Sequence, residues 1–377
     1  MLSKPAFNLL KLVVLSFILG GCTSITPHES LKNALNKTFD TTGYNYTSST
    51  RITKIVFPKN ETNTTSEEEQ TATEKLSSLY VQKGISVLRG FSFGLNGAVD
   101  YADSIKSEAT YDFHYNRDNV ETSIKLPFLF DYSTKTLYMG KTFLNTIFPM
   151  KEEDEGKLIR LDLNDSFITT LISEESMKQF DEDKVRSLNS AMKEGTLKAF
   201  SDINGSYFKY TPLTSDEKLS GSIQKIHISL DRNQSIKLVL TITDAMIQKM
   251  YSESILSKEI YGSYMFLSDP KQLTHLMENV NVRFDFDFGI NAKGRIALVE
   301  SLINASDKEE KFALGIENIT SLNNFNTPHF TLDPKSSGSI DYMEVFRSWK
   351  EFFPDKTPTD SLPEEEQISD YEQNLTI

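Results

Sequence analysis

A chain of 377 residues with 53 acidic against 40 basic side chains is acidic at neutral pH, and a surface of that sign disfavours nucleic-acid backbones and anionic headgroups. A single cysteine, Cys22, excludes any intrachain disulfide, so the fold must be held by its core. With 38% apolar and 11% aromatic residues there is enough material for one large domain or two ordinary ones.

The chain opens on a basic start at Lys4 and Lys11, an apolar run from Leu12 to Leu19, and the small residues Gly20 and Gly21. That layout is a secretory signal, shorter than the ~20 apolar residues of a membrane span. Two plainer readings are a cleaved signal in which Cys22 is incidental and an uncleaved anchor helix. The four residues Leu19-Gly20-Gly21-Cys22 resemble the lipobox of bacterial lipoproteins and favour a third. The resemblance implies that residues 1–21 are a signal peptide, that Cys22 carries a diacylglycerol, and that the new amino terminus is acylated. It implies a bacterial cell-envelope location, tethered to membrane by lipid. Each buried methylene contributes about 0.8 kcal/mol, so two or three chains hold permanently. Thr23 replaces the Asp that tends to retain Gram-negative lipoproteins at the inner membrane, which implies the outer membrane for a Gram-negative source.

Residues 22–83 form the anchored N-terminal stretch. Leu31, Leu35 and Phe39, at spacing four, predict a short amphipathic helix over 28–40. Residues 44–57 are β-branched and aromatic and predict a strand; 60–75 are polar, a loop or the solvated start of a helix reaching Gln82. From Gly84 the period is two: Phe91, Phe93 and Leu95, then Tyr111, Phe113 and Tyr115, then, after a turn at 116–119, Val120, Thr122, Ile124 and Leu126. This predicts an antiparallel meander with one buried face. Pro127 ends the regularity or marks an edge, and 128–140 predicts a hairpin. Over 165–200, Phe167, Leu171, Ile172, Val185, Leu188 and Met192 take helical spacing, with Asp181-Glu182-Asp183 placed to complement a helix N-terminus. Residues 84–202 thus form one sheet-plus-helix unit.

Residues 203–353 form another. Ile226, Ile228 and Leu230 predict a strand, Asp231–Gln234 a turn, and Ile236, Leu238, Leu240 and Ile242 a returning strand, with Asp244 capping a helix to about Ile260. In VNVRFDFDFGI the residues Val280, Val282, Phe284, Phe286, Phe288 and Ile290 face one way and Arg283, Asp285 and Asp287 the other. Asn291–Gly294 turns this strand back into RIALVESLI, KFALGIENI follows, and 341–353 predicts a closing helix stopped by Pro354. The acidic tail, 354–377, has the composition of a disordered segment. The fold class is α+β: antiparallel curved meanders with interposed helices. The strand-rich stretches 84–163 and 203–330 share hairpin grammar without a shared motif, so a diverged duplication rests on pattern alone.

Chemistry-bearing motifs are sparse. The five His, at 28, 114, 227, 275 and 329, lack ligand spacing, and His114 and His227 fall on polar strand phases. Tyr138–Thr142 ends like a phosphate loop, with Lys135 where the first Gly belongs. Asp285–Asn291 superficially follows a calcium loop, yet its strict alternation suits a strand. There is no G-x-S-x-G, and a carboxylate pair for glycoside hydrolysis is uninformative among 53 acids. The expectation is no catalytic residue, no metal and no cofactor.

The aromatic strand faces either pack as solid core or cup a helix imperfectly and leave an apolar cavity. Meandering strands with interposed helices behind a lipobox resemble the LolA/LolB and LppX-type half-barrels, which bind acyl chains of lipids or lipoproteins. That resemblance implies a non-enzymatic envelope lipoprotein with a hydrophobic ligand, its cavity lined by Phe91, Phe93, Phe284, Phe286 and Phe288. The rival is a surface-tethered scaffold or adhesin without a cavity; an unrecognised hydrolase comes third.

Overall fold

A computed structural model describes residues 25–57, 84, 87–117, 119–140, 152–154, 156–165, 168–169, 180–269, 278–309, 311–345 and 347. The lipobox, the polar stretch at 60–75, most of 165–180 and the acidic tail lie outside them.

The first helix, α1 (Pro27–Phe39), starts on a capping box: the Thr26 hydroxyl accepts from the Glu29 amide and Glu29 reaches back to the Thr26 amide. Leu31, Ala34 and Leu35 are buried, as the spacing of four predicts. The chain then enters β1 (Gly43–Val56). One meander follows: β2 (Phe91–Asp100), β3 (Lys106–Arg117), β4 (Val120–Asp131), β5 (Thr136–Met139) and β6 (Leu158–Asp162). After α2 (Glu182–Ser201) comes a second: β7 (Phe208–Thr211), β8 (Ser222–Leu230), β9 (Val280–Asn291), β10 (Ile296–Asp307) and β11 (Ala313–Asn323). Between β7 and β9 the chain also forms α3 (Ser215–Leu219), α4 (Arg232–Ser252) and α5 (Lys258–Leu267). After β11 come α6 (Pro334–Ser337) and β12 (Ser339–Asp341), with helix at 342–345, and most of the closing helix expected over 341–353 lies outside the described residues.

All of these strands make one 12-stranded sheet, in the order β12-β6-β5-β4-β3-β2-β1-β11-β10-β9-β8-β7. Neighbours are antiparallel except β12, which runs parallel to β6. The α+β class and the antiparallel meanders are as the sequence predicts, and the curved sheet is not closed. β1 joins the meanders, pairing with β2 over Gly43–Arg51 and with β11 over Asn45–Val56. Pro127 sits inside β4, at the point where β5 joins it: Val120–Pro127 has β3 beside it, and β5 pairs from Phe128 onward. A residue without an N–H fits that position.

The expected hairpin at 231–242 is wrong. Arg232–Ser252 is one helix, and Asp231 caps it by accepting from the Gln234 amide at 3.0 Å. The apolar residues at 236, 238, 240 and 242 imitate a strand, but Leu238 and Ile242, four apart, are the ones that reach the core. Asp and Gln three residues apart serve a helix start as well as a turn, and here tertiary burial decides. Asp244, expected as a cap, lies within α4 and accepts the Tyr264 hydroxyl of α5. A separate cap at Ser257 begins α5, so no single helix runs to Ile260.

Helices α1, α2 and α4 cover one face of the β7–β10 region. Ile226, Ile228 and Leu230 are fully buried beneath them, and Phe200 of α2 meets Phe286 and Phe288 edge-on at 6.1 and 5.6 Å. At Gly195 helices α2 and α4 pass so closely that an added Cβ would sit 2.8 Å from the Ala245 methyl. Their ends are clasped by Glu253, whose carboxylate accepts from Lys184 at 2.7 Å, Ser187 at 3.1 Å and Lys249 at 3.1 Å. Those bonds hold its pKa down from 4.5 to about 2, Lys184 contributing most.

The opposite face carries a strap, residues 324–338, running from β11 to β12. Asn45 holds it through the His329 amide (2.8 Å) and carbonyl (2.7 Å). Glu108, buried on β3, accepts from the Thr331 amide and hydroxyl and from the Leu332 amide at 2.6 to 2.8 Å. On this face the polar phase of β9 is less solvated than the alternation implies: Asp287 is half-buried and bonded to His227 at 3.0 Å.

Two outcomes follow from this packing. Phe286→Asp should cost about 3–5 kcal/mol, since it loses ring contacts and buries a charge, whereas Asp287→Asn keeps an acceptor for His227 and should cost about 1 kcal/mol or less. Equal losses in urea melts would contradict a one-sided strand. Glu253 titrates lower in the folded state than in the unfolded chain, so its contribution is complete above pH 4.5 and fades as pH falls toward 2. The melting-temperature gap between wild type and Glu253→Gln should therefore narrow from pH 5 to pH 2; a constant gap would assign the clasp no role.

Candidate ligand-binding face

Directly paired residues of a sheet point to the same side, so the strand register shows what each face presents. On the helix-bearing side one row runs Ile228, Phe286, Ser301, Asn318, Thr50, Phe93, Phe113, Ile124. The neighbouring row runs Ile226, Phe288, Val299, Thr320, Ser48, Leu95, Tyr111, Leu126. Both rows are apolar at each end and polar where they cross β11 and β1.

At the β8–β9 end the apolar residues are covered by helices. At the β2–β4 end several stay exposed: Phe91 is 43% exposed, Tyr111 37%, Phe113 42% and Ile124 46%. The rings there pack on one another, Phe91 against Tyr115 at 5.0 Å and Phe93 against Phe113 at 5.3 Å and Tyr111 at 5.8 Å. Charged residues of these strands, such as Asp112 and Lys125, occupy the alternate phase and pair on the other face. The expected single buried face of this meander is thus an aromatic face open along its outer half.

Between the two apolar zones lies a polar island. The Asn318 amide donates to the Ser48 and Thr50 hydroxyl oxygens, each at 2.8 Å, and the Thr320 hydroxyl lies 2.9 Å from both Ser48 Oγ and Asn318 Oδ1. All four side chains are half-buried. Farther along β1, Tyr46 crosses Gly97 to donate to the Glu108 carbonyl at 2.9 Å, and a Cβ at Gly97 would fall 2.7 Å from that hydroxyl. Burial, with neighbouring tyrosines, pushes Tyr46 to about 12, so its hydroxyl stays a donor.

Under α1 and α2 a cavity of about 190 Å³ is lined by Leu35, Phe39, Tyr44, Tyr101, Val299 and Leu322, among others. It is smaller than the roughly 300–1,000 Å³ of ordinary small-molecule pockets. A cleft of about 440 Å³ at the opposite end of β9–β11 has Lys54, Asp231, Arg232 and Arg283 among its lining residues. Asp231 there caps α4, and Arg283 is paired with Asp285.

Of the residues singled out from sequence, Phe91 and Phe93 sit in the open aromatic zone, while Phe284, Phe286 and Phe288 sit in the helix-covered zone. They share a face but are four strand spacings apart, about 19 Å. The structure gathers Phe91 and Phe93 instead with Tyr111, Phe113 and Ile124, and it adds Ser48, Thr50, Asn318 and Thr320. Alternation marked those aromatics as one strand face; only the register shows which strands meet. Cys22 lies outside the described residues. His28 bonds the Phe200 carbonyl at 2.9 Å, His227 bonds Asp287, and His114 lies 3.9 Å from Glu121, each far from a second histidine in sequence. Among the described residues no three His, Cys, Asp or Glu side chains form a metal-holding group, and no helix is long and apolar enough to cross a membrane.

No family model matches the chain, and no curated protein matches it in sequence. Among solved structures, the crystal structure of LprF from Mycobacterium bovis is similar at 7% identity with a TM-score of 0.33, over 82% of this chain and 96% of that one. A likeness at that score carries no argument about ligand or site.

Proposed function

We propose that this chain is a lipid-anchored protein of the bacterial envelope, tethered through Cys22, that binds the acyl chain of a hydrophobic ligand against the open aromatic zone. The observation that carries the reading is the exposure of Phe91, Tyr111, Phe113 and Ile124 on the face that helices cover elsewhere. Exposed large apolar side chains, clustered on one uncharged surface, mark a surface that binds. Each methylene laid over such a surface contributes about 0.8 kcal/mol, so an acyl chain gains substantially from covering it. No step of bond chemistry is assigned to the protein.

A scaffold or adhesin would use the same aromatics to grip a protein partner, and it would purify without lipid. Lipid extracted from natively purified protein should therefore contain an acyl species near one per chain. Phe113→Lys, at a side chain 42% exposed, should reduce that lipid at least about tenfold while leaving the thermal melt nearly unchanged. Empty wild-type protein would favour the scaffold.

The anchor has its own test. Wild-type protein expressed with its leader should enter the detergent phase in Triton X-114 partitioning, and Cys22→Ser should leave it in the aqueous phase. Absence of acyl mass on the wild-type N-terminal peptide would remove the envelope assignment.

A further inference from the structure

The polar island interrupts an otherwise apolar face at its centre, and its chemistry is specific. It contains hydroxyls and one amide, and no charged side chain stands in either row that crosses it. The nearest charges on these strands, Arg51 and Glu317, lie on the opposite face and pair with each other. The Asn318 amide spends both of its hydrogens on Ser48 and Thr50, which act as acceptors at 2.8 Å. The single Thr320 hydrogen goes to Asn318 Oδ1, so the Ser48 hydroxyl donates to Thr320 Oγ1, and Thr50 alone keeps its hydrogen for a further acceptor. The island therefore offers an incoming group one neutral donor, the Thr50 hydroxyl, and its two rows hold no counter-ion among the described residues.

Its position completes the picture. Thr50 is the direct partner of Phe93, so the donor adjoins the open aromatic zone with no strand between. From Thr50 across Phe93 and Phe113 to Ile124 is three strand spacings, about 14 Å.

We infer that this island, through the Thr50 hydroxyl, is the recognition site for a carbonyl oxygen of a neutral ester-linked acyl lipid, whose chain then runs over Phe93 and Phe113 toward Ile124. The inference rests on the acyl-binding reading and sharpens it: the ligand class is a neutral acylglycerol-type ester rather than a charged phospholipid headgroup or a bare hydrocarbon. A phosphate or carboxylate placed here would be desolvated without a cation, which disfavours it. An alkane would cover the hydroxyls without bonding them, which disfavours it too.

Two fluorescent probes separate the possibilities: a pyrene-labelled diacylglycerol and a pyrenyl alkane without oxygen, titrated into the mature wild-type chain and two variants. Thr50→Val conserves side-chain volume, and Asn318→Leu removes the amide; circular dichroism melts check that each folds. Wild type should bind the ester about tenfold more tightly than the alkane, and each variant should lose about five- to tenfold for the ester while holding alkane affinity within about twofold. Equal wild-type affinity for both probes, or equal loss of both in Thr50→Val, would overturn the ester site and leave acyl binding standing. Binding of neither probe to wild type would overturn both. A charged pyrene-labelled phosphatidylglycerol that matched the diacylglycerol would overturn the assignment to a neutral ligand.

Discussion

The structure depends on a ladder shared by three strands. From Asn45 to Arg51, β1 is paired on both sides at once, with β2 on one edge and β11 on the other. Every other described link between the two meanders is a helix packed across the sheet or a strap behind it. Remove β1 and each meander would present a long edge of unpaired amides and carbonyls. The helix that precedes β1 is fastened to the second meander: Thr38, in the last turn of α1, accepts the Ile296 amide at the start of β10. Sheet centre, helix layer and second meander are thereby locked around one short stretch of chain.

The same strand sets the character of the face. Its Ser48 and Thr50 meet Thr320 and Asn318 of β11, so the junction of the meanders is also the polar centre between two apolar fields. One field is sealed by Phe200, Leu238 and the residues of α1. The other stands open. An interior built only for stability would continue the helix layer across it, and the polar junction would then be an expense in desolvation without a return. On the reverse face the strap ties β1 to β3 through Asn45 and Glu108, which stiffens the open half from behind without covering its front.

Much of this was legible in the sequence, and the failures have physical causes. Strands announced themselves where apolar and polar residues alternate strictly, as in 280–290 and 111–126, because a half-buried strand leaves no other pattern. The helix at α1 followed from Leu31 and Leu35. Residues 231–242 misled because Ile236, Leu238, Leu240 and Ile242 satisfy both periods over a short window, and only the burial of Leu238 and Ile242 chooses between them. What no local pattern carries is register. That Phe93 lies beside Phe113 and Thr50, and far from Phe286, depends on which strands become neighbours. The insertion of β1 between β2 and β11 is set by contacts across the whole molecule.

That insertion also has a kinetic side. β1 is made near the start of the chain, yet its partner β11 is made near the end; pairs such as Tyr46–Leu322 and Val56–Ala313 are separated by most of the polypeptide. Closing so long a loop costs entropy before any ladder bond returns it, and sheets of high contact order fold slowly for this reason. Until β11 arrives, β1 can do no more than zip onto β2, leaving its far edge free to template a strand of another copy. A molecule with this topology would need an escort, or a slow and orderly delivery of its C-terminal half, to avoid joining its neighbours before it has joined itself.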